Sequence, residues 1–195
     1  MIAKRWLTCA LAAALGVAAC NSDDDDDSSE ASETTSDQSP PQSAAAIEAW
    51  LTKGAYKSWQ CEPATHESRS PSPHGFNRIC SNDAISANAD EKGPWPKGAA
   101  AVKELYASKD ASTPVGYAVY VKTADDSAEG ANWYWYERVP KDSEAPHDAS
   151  GVVADGLGDK GPAASICVGC HIAAGSDEAH TPTANGHDQV YTPVR

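Results

Sequence analysis

The sequence holds a single methionine, Met1, so once a leader is removed no thioether remains to bind a metal. Phenylalanine is as scarce: Phe76 stands alone, and any crowding of aromatic rings must come from the 6 Trp and 7 Tyr. Basic residues are few, 15 against 28 acidic ones, for a formal net charge of −13. No basic patch is left to hold nucleic acid. Much of that charge is local, because Asp23 to Asp27, Glu30, Glu33 and Asp37 all precede Pro40. From Pro41 onward 13 basic residues stand against 20 acidic ones, a net −7. The one long apolar run, Leu7 to Val17, is too short to span a bilayer and remain there.

What is present at the N-terminus reads as an export signal over residues 1–20. Lys4 and Arg5 supply the charged end, Leu7 to Val17 the apolar stretch, and Ala18-Ala19 the small residues before a cysteine. Val17-Ala18-Ala19-Cys20 resembles a bacterial lipobox, in which Cys20 takes lipid and becomes the new N-terminus; an ordinary secretory signal cut near Ala19 fits the same small residues. Asn21 after the cysteine matches the pattern of lipoproteins sent to the outer membrane. The expected location is the periplasmic face of that membrane or the cell surface, with the lipid anchor as the contact to membrane. Residues 21–42 are Asp, Ser, Glu, Thr and Pro with almost nothing to bury, and read as a disordered tether. A flexible segment of that length reaches about 25 Å. Residues 43–195 suffice for one domain with its own core.

Of the 6 cysteines, Cys9 leaves with the signal and Cys20 is the lipid site. Cys167-Val168-Gly169-Cys170-His171 is a C-x-x-C-H motif, the attachment signature of one covalent haem c. Cys167 and Cys170 are the expected tethers and His171 the iron ligand. A redox dithiol would call for a βαβ pattern around the motif, and a zinc site for a second Cys/His pair at ligand spacing; neither is visible. Cys61 and Cys80 remain. In an oxidising compartment they are expected to form a disulfide, with two buried free thiols as the alternative. With no methionine in the mature chain, His/Met ligation is excluded. That leaves a second histidine from His66, His74, His147, His180 or His187, or a five-coordinate iron with an open face.

The domain reads as α+β and mainly β, an antiparallel sheet of about five strands with a few short helices and a C-terminal haem-binding motif. Ser43 is placed to cap a helix bearing Ile47, Trp50 and Leu51 on one face, and Gly54 to end it. Strands are expected at Tyr56 to Cys61, Phe76 to Cys80, Ala99 to Tyr106, Gly116 to Lys122 and Asn132 to Val139. A short helix near Asp83 to Ala89 and the turn Gly93 to Gly98 fall between them. Alternation puts Trp133 and Trp135 on one side of their strand, and Tyr134 and Tyr136 on the other, as core, as interface or, for one member, as pocket wall. From Pro140 to Pro162 the chain is polar and glycine-rich, and no regular structure is expected before a short helix presenting the motif.

Alternation also places Lys103 with Ala99, Ala101 and Leu105 on one strand face. A lysine on a small, apolar face needs a place for its amine: either a flat ring lies beside it, or a carboxylate such as that of Glu104's cross-strand neighbour pairs with it. Arg78 suits a haem propionate or a bound ligand in fork geometry, or else a surface ion pair.

Four landmarks in order resemble the cytochrome P-460 and cytochrome c′-beta family: Tyr56 and Trp59; Ser72-Pro73-His74-Gly75 leading to Arg78 and Asn82; Pro96-x-Gly98 before Val102-Lys103-Glu104-Leu105; and Asn132-Trp133 before the C-terminal C-x-x-C-H. The end, Gln189-Val190-Tyr191 to Arg195, is similar as well. The resemblance implies a mainly antiparallel β fold, usually a homodimer, and a five-coordinate haem with an open distal side. In one branch a lysine is joined to the porphyrin edge and hydroxylamine is oxidised, with a redox partner protein accepting the electrons. In the other the cross-link is absent, aromatic residues crowd the distal face, and nitric oxide or carbon monoxide binds. Lys103 stands at the cross-linking lysine's position, and Arg78 at that of a pocket arginine, which makes both candidate catalytic residues on a small nitrogen-oxide substrate. Family members use a distal carboxylate as base, for which Glu144 and Asp148 are the candidates here.

Overall fold

The computed structural model describes residues 38–68, 72–90, 93–174 and 187–195. The leader at 1–20 with Cys20, nearly all of the 21–42 tether, and His180 lie outside the described residues.

Helix α1 (Ala44–Lys53) starts at Ser43, which holds the N-cap position without a side-chain bond. It stops at Gly54, whose left-handed φ of 69° turns its N–H back onto the last carbonyls. Ile47, Trp50 and Leu51 form its buried side, each contributing about 2 kcal/mol by leaving water. Tyr56 does not begin a strand. It sits in a 3-10 turn, Ala55–Ser58, because its ring packs on Trp50 at 5.8 Å and its hydroxyl reaches the Glu104 carboxylate at 2.6 Å.

Two short strands, β1 (Gln60–Cys61) and β2 (His66–Glu67), both pair with β3 (Phe76–Ser81). After α2 (Asp83–Ser86) come β4 (Ala100–Tyr106), β5 (Gly116–Lys122), β6 (Trp133–Arg138) and β7 (Val152–Leu157). The sheet is antiparallel throughout, in the order β1-β3-β4-β5-β6-β7 with β2 also on β3. It is the mainly β architecture expected, with seven strands among the described residues rather than about five. The additional β7 arises inside the glycine-rich stretch: it pairs with β6 from Arg138 opposite Val152 to Tyr134 opposite Leu157, and so covers an edge that would otherwise expose its backbone.

Period-two alternation divides the side chains between two cores. One face carries Cys80, Val102, Val119, Val121, Tyr134 and Tyr136 beneath α1, Tyr56 and Trp59. The other carries Ile79, Ala101, Tyr120, Trp133 and Trp135, covered by Cys167 and Val168 from the C-x-x-C-H segment and by Val190 and Val194 from the C-terminus. Cys61 and Cys80, opposite one another on β1 and β3, are joined by a disulfide.

Candidate functional site

The C-x-x-C-H residues ride on a π-helical turn, Ala163–Val168, that runs into a last turn of α-helix, α3 (Gly169–His171). Two glycines let this segment seat against the sheet. A Cβ on Gly158 would come within 2.6 Å of the Val168 side chain and 2.2 Å of the Gly130 carbonyl, and one on Gly130, where φ is +101°, within 2.7 Å of Val168. Cys167 is thereby buried while Cys170 stays exposed. Burial, followed by the charges of Glu137 and Cys170, pushes the Cys167 thiol up to about 12.

His171 is enclosed by rings: Trp135 at 4.7 Å, Tyr191 at 5.2 Å and Tyr120 at 5.8 Å. Its Nδ1 lies 2.7 Å from the Gln189 carbonyl. A carbonyl only accepts, so Nδ1 carries the proton and Nε2 keeps its lone pair. Burial first, and then the charge of Lys103, push this imidazole down to about 3, so it is neutral at any ordinary pH. A neutral imidazole oriented through Nδ1–H is the form that ligates a metal through Nε2.

The sheet supplies the opposing wall. Ile79, Lys103, Ala118 and Glu137 stand opposite one another on β3, β4, β5 and β6, one transverse row on one face. Lys103 and Glu137 are thus two strands apart, about 10 Å of sheet, with only the methyl of Ala118 between them. His74 bridges them. The Lys103 ammonium donates to its Nδ1 at 3.0 Å, with the Ser72 hydroxyl oxygen 2.8 Å from the same nitrogen, while its Nε2 faces the Glu137 carboxylate at 3.5 Å. Together with Tyr120 and Trp135 these side chains line a cavity of about 550 Å³, open mouth included, into which Cys167, Cys170 and His171 also face.

Several expectations placed other residues here. Arg78 stands opposite Glu104, on the face turned away from the cavity; its Nε donates to the Glu104 carboxylate at 2.7 Å. It does not line the cavity, because it and Ile79 are neighbours in a strand, and Ile79 is the one in register with Lys103. Glu144 and Asp148 are exposed, and Asp148 binds the backbone of its own turn at Ser150 and Val152. The carboxylate in the cavity is instead Glu137, which the sequence reading missed although the alternation of Trp133 and Trp135, carried two residues further, puts it on the same face. Of the histidines considered as a second ligand, His74 alone among the described residues faces the cavity, with both ring nitrogens engaged. His66 pairs with Glu62, and neither His147 nor His187 lines the cavity. Trp135 and Tyr136 are the ladder members that border it, Tyr136 while also packing in the core beneath α1; Trp133 and Tyr134 are buried in the two cores.

The donors present fit a haem. Two thiols and a neutral imidazole, oriented through its Nδ1–H, share one wall of a largely apolar cavity, the donor set that a covalently held haem requires. No curated protein matches the chain. The family model described as Cytochrome P460 matches residues 53–192, from the end of α1 through the cavity walls, the C-x-x-C-H segment and the C-terminal strap, and the chain therefore belongs to the cytochrome P460 family of haem-binding c-type cytochromes.

Proposed function

We propose that this is an exported, lipid-anchored mono-haem cytochrome that acts as an oxidoreductase on hydroxylamine or nitric oxide. The observation that carries the reading is the shared row of Lys103, Ala118 and Glu137 facing the wall that holds His171. Cys167 and Cys170 would hold the haem covalently and His171 would ligate its iron, which supplies the one-electron chemistry when bound. Lys103 is the residue assigned to the bond with the porphyrin edge.

The chain's own residues provide the rest. The small Ala118 leaves the His74 imidazole room to span Lys103 and Glu137, and a molecule of a few atoms would sit on the cavity side of that bridge. Glu137 is the base, taking protons from a bound N–H or O–H as electrons leave the substrate. His74 keeps Nε2–H turned toward that carboxylate and so fixes its orientation. Tyr120 and Trp135 keep bulk water from the apolar side of the cavity. The lipid on Cys20 brings the domain to the membrane surface, a homodimer is the working unit, and a redox partner protein removes the electrons.

A second reading has its own support. Tyr120 and Trp135 supply aromatic walls although the chain has a single phenylalanine, and such walls suit a cytochrome that binds nitric oxide without turnover.

The two separate in the absorption spectrum of the reduced, haem-loaded protein beside Lys103→Ala. A strongly red-shifted Soret band that the variant loses, with hydroxylamine-dependent reduction of an acceptor dye, is the expected result. An ordinary c-type band, unchanged in the variant, would overturn the cross-link and favour gas binding.

A further inference from the structure

The carbonyl that orients His171 belongs to an unusual piece of backbone. Asp188 and Gln189 are consecutive non-glycine residues with left-handed φ, 42° and 72°. Side chains that carry a Cβ adopt that conformation only where the surroundings enforce it. Here they do. The Lys122 ammonium, with a fully buried side chain, donates to the Asp188 carboxylate at 2.7 Å. Trp95 holds the same turn twice: its backbone N–H donates to Asp188 at 3.2 Å and its indole N–H to the His187 carbonyl at 2.8 Å. The His187 N–H donates to the Ala174 carbonyl at 2.7 Å, which ties the turn to the chain just after the C-x-x-C-H motif. Lys122 does not line the cavity. A lysine buried this completely is normally replaced by an apolar residue unless its charge is needed in place.

We propose that Lys122, Asp188 and Trp95 form a clamp that presses the Gln189 carbonyl onto His171 Nδ1–H, making Lys122 and Asp188 positioning residues that set how strongly His171 donates to iron. The proposal rests on His171 being the axial ligand. A firmly held acceptor on Nδ1–H gives the imidazole imidazolate character, strengthens its bond to the metal and favours the ferric state. A loosened turn lets that carbonyl drift, and the donor weakens without any change in the cavity walls.

The test uses the full haem-loaded chain and the isosteric variant Asp188→Asn, with Lys122→Met as a second. The expected result is a lower iron–histidine stretching frequency in the resonance Raman spectrum of the ferrous protein and a more positive reduction potential, at unchanged haem content. Wild-type values in folded variants would overturn the clamp. Should neither variant fold, the unmodified protein decides. The His171 Nδ1 proton, observed as a hyperfine-shifted resonance, must survive in deuterated water as long as the most protected core amides, and prompt loss would overturn the proposal. A chain that carries no covalent haem on a denaturing gel would instead refute the haem reading itself, so the two failures are distinguishable.

Discussion

Replacing Glu104 by glutamine tests whether the two faces of the sheet are as separate as the register implies. Glu104 is 2 % exposed, and three donors converge on it: the Tyr56 hydroxyl at 2.6 Å on one oxygen, and the Tyr106 hydroxyl and Arg78 Nε, both at 2.7 Å, on the other. Glutamine keeps the shape and one acceptor oxygen. Its amide takes the place facing Tyr56, whose hydroxyl rotates to accept. All three bonds lose the carboxylate's charge, the two from tyrosine becoming neutral and the one from Arg78 keeping only the guanidinium's, at a loss of roughly 1 kcal/mol each. Arg78 retains water on its exposed third, so its unpaired charge adds little. The sum is about 3 kcal/mol, or roughly 6 to 12 °C in Tm for a domain of this size. Burial alone would raise the Glu104 carboxyl, but the bonds from Arg78, Tyr56 and Tyr106 hold it below its ordinary 4.5. A depressed carboxylate contributes stability that is complete above the unfolded value and is lost as pH falls through the folded one. Thermal melts of the wild type should therefore fall on acidification below pH 4.5 more steeply than those of Glu104→Gln. The Soret band should be unchanged throughout. A band shift, or a variant as stable as the wild type, would refute the assignment of Arg78 and Glu104 to the structural face.

Two further outcomes follow from the cavity. Glu137→Gln should lower kcat for hydroxylamine oxidation by about 10² to 10⁴ while leaving haem content and spectrum intact; steady-state assays with an acceptor dye measure this, and an unchanged kcat would move the base elsewhere. In the haem-free chain at pH 8, iodoacetamide should label exposed Cys170 well before Cys167, whose buried thiol is held at about 12. Peptide mass spectrometry reads the ratio, and equal labelling would contradict the burial of Cys167.

The strands that read well from sequence are those with an alternating or small-residue pattern. Trp133-Tyr134-Trp135-Tyr136 and Ala99 to Tyr106 announced both their type and their two faces, and α1 was marked by Ile47, Trp50 and Leu51 ahead of a terminating glycine. β7 was not legible, because Asp155 and Gly156 interrupt its apolar alternation and its pairing comes wholly from the edge of β6. Tyr56 was misread as strand because its burial is set by Glu104, 48 residues away. Arg78 and Glu137 show the limit within the site. Alternation fixes the face of a residue within its own strand, but only register between strands says which faces meet. Arg78 lies beside the residue that faces Lys103, and the family pattern alone could not tell the two apart. Glu137 carried a usable signal: a carboxylate that continues a buried tryptophan row toward the solvent is out of place unless something in the site needs it.

The transverse row of Lys103, Ala118 and Glu137 also dictates where the chain can change length. The next row along the same strands is Glu104, Tyr117 and Arg138, and it faces the opposite way. Adding or deleting one residue inside β4, β5 or β6 would exchange the two rows over the rest of that strand, placing a tyrosine where Ala118 leaves space or an arginine where Glu137 stands. Two residues would restore the faces but displace the row from its neighbours by about 7 Å. Insertions are thus confined to the connections at 107–115 and 123–132, where length varies without moving the strands. In this fold the spacing of the cavity wall is inherited by counting residues, and a homologue with an altered strand length has lost the site even if every one of its residues is retained.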